Sequence, residues 1–188
     1  MISRKPDFEK DMDHIYFTEE QIQKRVEELA DQINLDYQDL KTDKPVLVIG
    51  LLTGSFQFIA DLVRKLNFPV SVDFISASSY DASTVSTGSV IIKKDVENIT
   101  DRHVLLVEDI IDSGISMRHI LALLGTRKPA SLKLCALLTK PSRRVAPVNI
   151  DYLGFTIEDE FVVGYGLDFA GKYRSLPYIG VLKPELYQ

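Results

Sequence analysis

Residues 104–116 constrain this chain more than any other stretch. Val104-Leu105-Leu106-Val107 is continuous apolar sequence, the composition of a strand buried on both faces of a parallel sheet. It runs into two adjacent carboxylates, Glu108 and Asp109, and then into Ile110-Ile111-Asp112-Ser113-Gly114-Ile115-Ser116, ahead of a helical pattern reaching about Leu124. Gly114 can adopt backbone angles closed to other residues and lets a ligand approach the main chain. Free N–H groups at the helix start, with the Ser113 and Ser116 hydroxyls, form a concave donor cluster suited to a phosphate dianion. The carboxylates upstream suit ribose hydroxyls or a metal-bound ligand. Asp112-Ser113-Gly114 alone reads more readily as a capped helix start. The specificity lies in the full order of apolar strand, acidic pair, hydroxyl-rich turn and helix.

The rest of the chain alternates in the same manner. Glu19–Asn34 places Ile22, Val26, Leu29 and Ile33 on one helical stripe, with Thr18 and Gln21 at capping-box spacing. Val46–Ile49, Val70–Ala77 and Leu132–Leu138 read as strands, Val90–Lys94 as a strand returning from a loop, and Ser55–Leu66 as a helix. Tyr152–Phe155 and Phe161–Val163 are shorter strand candidates. This order predicts an α/β fold, a mainly parallel twisted sheet flanked by helices. Such sheets bind ligands beyond the carboxyl ends of their strands. That rule selects Leu51–Gly54, Glu108–Ser116, Thr139–Arg144 and Tyr165–Arg174.

Composition narrows the partners. With 188 residues, the chain is sized for a single domain. A net charge of -5 argues against non-specific nucleic-acid binding. The one cysteine, Cys135, sits in an apolar run and can form no internal disulfide, which suits a reducing cytosol. No stretch approaches the ~20 apolar residues of a membrane span, and the first residues carry no apolar signal core. The expectation is a soluble, cytoplasmic protein. His14, His103 and His119 lack metal-ligand spacing, and neither a GxxxxGK loop nor a GxGxxG turn is present.

The segment VLLVEDIIDSG resembles the phosphoribosyl-pyrophosphate (PRPP) motif of the type I phosphoribosyltransferases, and more narrowly of their hypoxanthine-guanine branch. The resemblance runs from about Val46 to Gly180. It implies the type I phosphoribosyltransferase fold, with a core over about residues 40–165 and a small hood from the N-terminal segment and about residues 165–188. It implies magnesium-dependent transfer of 5-phosphoribosyl from PRPP to N9 of hypoxanthine or guanine. The products are IMP or GMP and pyrophosphate, in purine salvage. A homo-oligomer, dimer or tetramer, is implied as well, with no nucleic-acid or membrane partner.

The same resemblance distributes roles. Thr53 and Gly54 would hold pyrophosphate through their backbone, in a turn that often contains a non-proline cis peptide. Many members carry Lys where this chain has Thr53, so no charge is carried over; a plain strand-to-helix turn is the competing reading. Ser79 and Tyr80 fall in a hydroxyl-rich segment resembling the family's mobile catalytic loop, though by its residues it is equally a surface loop. Glu108 and Asp109 would take the ribose hydroxyls and, with Asp168, magnesium. Asp112, Ser113, Gly114, Ile115 and Ser116 would cradle the 5′-phosphate, with Asp112 as general base toward purine N7. Lys140, on its own a solvated charge, would meet the exocyclic oxygen of a 6-oxopurine. Phe161 would stack on the base, with Ile110 and Val162 beside it, and Arg174 would grip pyrophosphate. Arg143 and Arg144 are left to an interface or solvent. Two rival readings remain: a xanthine-preferring relative, and a non-catalytic PRPP- or nucleotide-sensing regulator on the same fold.

Overall fold

The elements follow one another as β1 (Met12–Phe17), α1 (Glu19–Tyr37), β2 (Val46–Leu52), α2 (Phe56–Val63), β3 (Val70–Ser79) and β4 (Val90–Lys94). Then come β5 (His103–Ile111), α3 (Ile115–Gly125), β6 (Ser131–Thr139), β7 (Tyr152–Thr156), β8 (Val162–Val163) and β9 (Ile179–Leu182). The computed structural model describes residues 8–79 and 90–187.

Six strands form the main sheet in the order β4-β3-β2-β5-β6-β7, parallel throughout except for antiparallel β4. The apolar runs explain why. Val46, Val48, Leu105, Val107, Cys135 and Leu137 face one way and pack with α1 and α2 residues such as Leu29, Ile33, Phe58 and Leu62. Their neighbours Leu47, Ile49, Val104, Leu106, Leu134 and Ala136 face the other way and pack with Met117, Ile120 and Leu124 of α3. Strict alternation between two cores requires apolar residues at every position. The chain winds outward from β2 through β3 and, after the crossover, outward again from β5 through β6. The reversal between β2 and β5 is a topological switch point, where ligand crevices open at the strand ends.

β5 extends beyond the apolar run. Its ladder with β6 continues through Glu108↔Ala136 and Ile110↔Leu138 to Ile111↔Thr139, so the acidic pair lies within the strand rather than after it. Backbone pairing, not side-chain polarity, sets where the strand stops. The capping box is formed: Gln21 N donates to Thr18 Oγ1, and Thr18 N donates to Gln21 Oε1. α1 belongs to the sheet's covering layer, so that layer starts at Glu19, well before residue 40.

A second, antiparallel sheet has the order β1-β9-β8 and joins the first described strand to the last. Its apolar cluster holds Met12, Val163, Tyr173 and Leu182. The candidate strand at Phe161–Val163 therefore belongs to this smaller sheet, not to the main one. Among the described residues no helix is long and apolar enough to cross a membrane.

Candidate active site

A cavity of about 430 Å³ opens at the carboxyl ends of β2 and β5. Its polar wall is Thr53, Gly54, Glu108, Asp109, Ser116, Asp168 and Arg174, and its apolar wall includes Leu51, Ile110, Ile120, Val162 and Leu167. Nine residues named from the sequence thus meet in one place. Leu51, Ile120 and Leu167 went unnamed because apolar wall residues carry no signal that separates them from core.

The turn after β2 contains a cis peptide between Leu52 and Thr53, the feature the family resemblance anticipates. Thr53 is exposed. The buried Ser55 hydroxyl closes the turn by donating to the Leu51 carbonyl at 2.6 Å. Gly54 is required by its neighbours: a Cβ there would lie 1.7 Å from Asp109 Oδ2. On its other side, a Cβ on Gly166 would lie 2.0 Å from the Gly54 carbonyl oxygen. Gly54 is therefore sandwiched between the Asp109 carboxylate of β5 and the backbone at Gly166.

The turn after β5 enters α3 through Gly114, at φ +80° in the left-handed region. The N–H groups of Val145 and Ala146 both donate to the Ser113 carbonyl, at 2.9 and 3.0 Å, and fix the turn from the β6 side. Ile115 N donates to Ser113 Oγ at 3.4 Å. Ile115 is half-buried and Ser116 exposed, so the helix start is open to a ligand.

Between the two turns lies the acidic pair. Glu108 Oε2 is buried and makes no hydrogen bond among the described residues. Burial raises the Glu108 carboxyl well above its ordinary value, and the charge of Asp109 adds to the effect. Burial likewise pushes Asp109 up to about 6; its own and the Ile110 backbone N–H groups and Arg174 oppose this, and Asp168 reinforces it. An orphaned buried carboxylate oxygen is a group short of a cation. Magnesium suits these oxygens because it binds through one or two carboxylates and fills its shell with water and substrate phosphate. Among the described residues no three Asp, Glu, His or Cys side chains converge on a site that could hold a metal ion.

Asp168 and Arg174 face each other across the far wall. Arg174 Nη2 lies 2.6 Å from Asp168 Oδ1, and Arg174 Nη1 donates to the Gly166 carbonyl at 2.6 Å. Asp168 Oδ2 accepts from Gly171 N at 2.8 Å. Gln57 of α2, which the sequence did not single out, donates to the Arg174 carbonyl at 2.6 Å and ties this loop to the helix behind the first turn.

Ser79, Asp112, Ser113, Gly114, Ile115, Lys140 and Phe161 are not among the residues that line the cavity. Lys140 is buried, with Nζ donating to the Glu160 carbonyl at 2.6 Å and 3.7 Å from Asp159 Oδ1. Phe161 presents one face rather than two, because Tyr187 stacks on the other. Asp112 Oδ1 lies 2.8 Å from Arg143 Nε, and Arg143 Nη1 lies 3.4 Å from Asp159. Arg143 is thus no idle surface charge, and Arg144 is not one either, since its Nη2 donates to Thr139 Oγ1 and to the Ile111 carbonyl. Both follow β6 directly and so come down beside the end of β5. Ser79 is the last residue of β3, paired in the ladder with Val90; Tyr80 lies outside the described residues.

The geometry defines a class: an α/β protein whose ligand cavity sits at the switch point of a parallel sheet, between two glycine-bearing backbone turns and over a buried acidic pair. The chain belongs to the phosphoribosyl transferase family, whose domain model matches residues 15–170. It is 45% identical over 179 residues to the hypoxanthine-guanine phosphoribosyltransferase of Bacillus subtilis, covering 95% of this chain and 97% of that protein. Among solved structures, a hypoxanthine phosphoribosyltransferase from Staphylococcus aureus superposes with a TM-score of 0.91 at 43% identity, covering 98% of this chain and 99% of that one. A hypoxanthine phosphoribosyl transferase from Trypanosoma cruzi, solved for the role of its C-terminal region in oligomeric state and activity, superposes with a TM-score of 0.90. It shares 42% identity over 95% of each chain.

Proposed function

We propose that this chain transfers the 5-phosphoribosyl group of PRPP to N9 of hypoxanthine or guanine, forming IMP or GMP and releasing pyrophosphate. The observation that carries this reading is the placement of two backbone anion turns, at Thr53–Gly54 and Ser113–Ser116, on neighbouring strands with Glu108 and Asp109 between them. A ligand with a phosphate at one end, a ribose in the middle and a pyrophosphate at the other matches that order.

In this reading the Ser113–Ser116 turn binds the 5′-phosphate, Glu108 and Asp109 hold the ribose hydroxyls, and Thr53 and Gly54 bind the leaving group through their backbone. Of Glu108, Asp109 and Asp168, one or two at a time would hold magnesium, with water and substrate phosphate completing its shell. Bound there with substrate, magnesium supplies charge neutralisation for the departing pyrophosphate. Arg174 offers a planar fork to the same group, after exchanging its contact with Asp168 for one with substrate. The C1–O bond to pyrophosphate breaks, the N9–C1 bond forms, and Asp112 accepts the proton leaving N7. The Arg143 partner does not prevent this. At 51% and 42% exposure the two side chains form a surface pair, worth about 0–1 kcal/mol and cheaply released.

Lys140 gives the base preference. An ammonium only donates hydrogen bonds, so it accepts a 6-oxo group as partner and not a 6-amino group. Lys140→Met removes one charged hydrogen bond, about 1.5–3 kcal/mol. Steady-state kinetics are expected to show kcat/KM for hypoxanthine falling roughly 10- to 100-fold, with KM for PRPP little changed. A loss confined to PRPP would move Lys140 out of the base site.

The cytoplasm and a homo-oligomer, dimer or tetramer, belong to the same reading, and sedimentation velocity measures the second. The deciding assay presents PRPP and magnesium with hypoxanthine, guanine, xanthine or adenine and follows pyrophosphate release. Release with the first two supports the proposal, and release with none of the four refutes it.

A further inference from the structure

The purine reading needs a flat ring held at a fixed angle, and the structure shows what holds it. Phe161 stacks on Tyr187 with ring centroids 4.6 Å apart and planes 21° from parallel. Phe169 meets the same ring edge-on at 5.6 Å and 90°. Tyr187 is itself fixed: its N–H donates to the Pro184 carbonyl at 3.1 Å, closing the 3-10 turn Pro184–Leu186. That turn starts at Lys183, whose N–H donates to the Asp11 carbonyl at 3.0 Å and whose Nζ donates to the Lys10 carbonyl at 2.8 Å.

The side from which Tyr187 approaches follows from the packing. Phe161, Phe169 and Tyr187 all pack on the cluster of the smaller sheet. Ile110 and Val162, the cavity-wall residues proposed to lie beside the base, pack into the main-sheet cluster instead. Tyr187 therefore comes from the hood, and the opposite face of Phe161 is the one left for a ligand.

We propose that Tyr187 is a positioning residue for the purine, the back plate of a three-ring stack in the order Tyr187, Phe161, base. It rests on the reading of Phe161 as the stacking residue. An aromatic contact of this kind contributes about 0.5–1.5 kcal/mol beyond buried area. Tyr187 spends that on the plane of Phe161, so that the ring is in place before the base arrives. The hydroxyl has no part in this role.

The test compares Tyr187→Leu, Tyr187→Phe and deletion of residues 187–188 with the wild-type chain, varying hypoxanthine at saturating PRPP and then the reverse. Loss of the back plate is expected to raise KM for hypoxanthine by about two- to tenfold in the leucine and deletion variants. KM for PRPP and kcat are expected to stay within about twofold, and Tyr187→Phe to behave as wild type. The deletion keeps the test informative if one point variant misfolds. A lower KM for hypoxanthine in Tyr187→Leu overturns the proposal by showing Tyr187 competing with the base. Unchanged values overturn it, as does a parallel rise in both KM values with altered oligomeric state, which marks a structural tail. A wild-type chain that releases no pyrophosphate refutes the enzymatic reading and this inference with it.

Discussion

Asp112→Asn is expected to cut kcat by about 10²–10⁴-fold, the usual contribution of a positioned general base, while KD for PRPP changes by less than about threefold. Asparagine keeps the shape of the side chain and an acceptor oxygen but cannot take up the proton leaving N7. The 5′-phosphate contacts proposed nearby use backbone around Gly114, a turn held by Val145 and Ala146 on the Ser113 carbonyl, and the substitution leaves those bonds in place. Arg143 loses an ionic partner, but that exposed pair is worth about 0–1 kcal/mol. Such a loss is too small to imitate a catalytic defect. Rapid-quench turnover together with equilibrium titration of PRPP separates the two quantities. Equal losses in both would assign Asp112 to phosphate binding.

Gly54→Ala is expected to separate stability from activity in a different way. The new Cβ falls 1.7 Å from Asp109 Oδ2 and 2.5 Å from its Cγ. Backward relief is closed, since Gly166 already lies against the Gly54 carbonyl. The displaced group must be the Asp109 carboxylate, the tip of one side chain, so the folding cost is about 1–2 kcal/mol, toward the low end for overpacking. Activity suffers more, because that carboxylate and the pyrophosphate turn both move; kcat/KM is expected to fall by on the order of 10²-fold or more, as sub-ångström misplacement commonly does. Thermal denaturation of Gly54→Ala in an Asp109→Ala background provides the check. The second substitution should restore most of the lost stability and none of the activity. Failure to recover stability would show that the clash lies elsewhere.

Much of this was legible in the chain because it is written locally. The apolar run Val104–Val107 specifies a two-faced strand, and the Gly114 turn follows it within a few residues, so strand, turn and helix are read as a unit. The acidic pair was found but placed one element too late. Polarity suggested that β5 ends at Val107, whereas the hydrogen-bond ladder to β6 runs on to Ile111. What was not legible depends on segments far apart in sequence. Gln57 reaches Arg174, Arg143 reaches Asp112, and Tyr187 lies on Phe161. Each of these is an ordinary residue type in an unremarkable local setting, and only the closed topology brings it to its partner. Glu108 is the converse case: its type was noted, but the buried and unpaired oxygen that argues for a cation is a property of three dimensions.

The smaller sheet has a consequence for the chain as it is made. Met12–Phe17 leaves the ribosome well before its ladder partner, Ile179–Leu182, with the whole main sheet translated between them. At cellular elongation rates the interval is on the order of ten seconds. Throughout it, β2, β5 and β6 can pair over their own two cores while the first strand waits without its neighbour. The cavity walls at the ends of β2 and β5 can therefore form before the smaller sheet closes. Until β9 emerges, the chain exposes an unpaired strand edge at Met12–Phe17, a target for a holdase that binds extended segments.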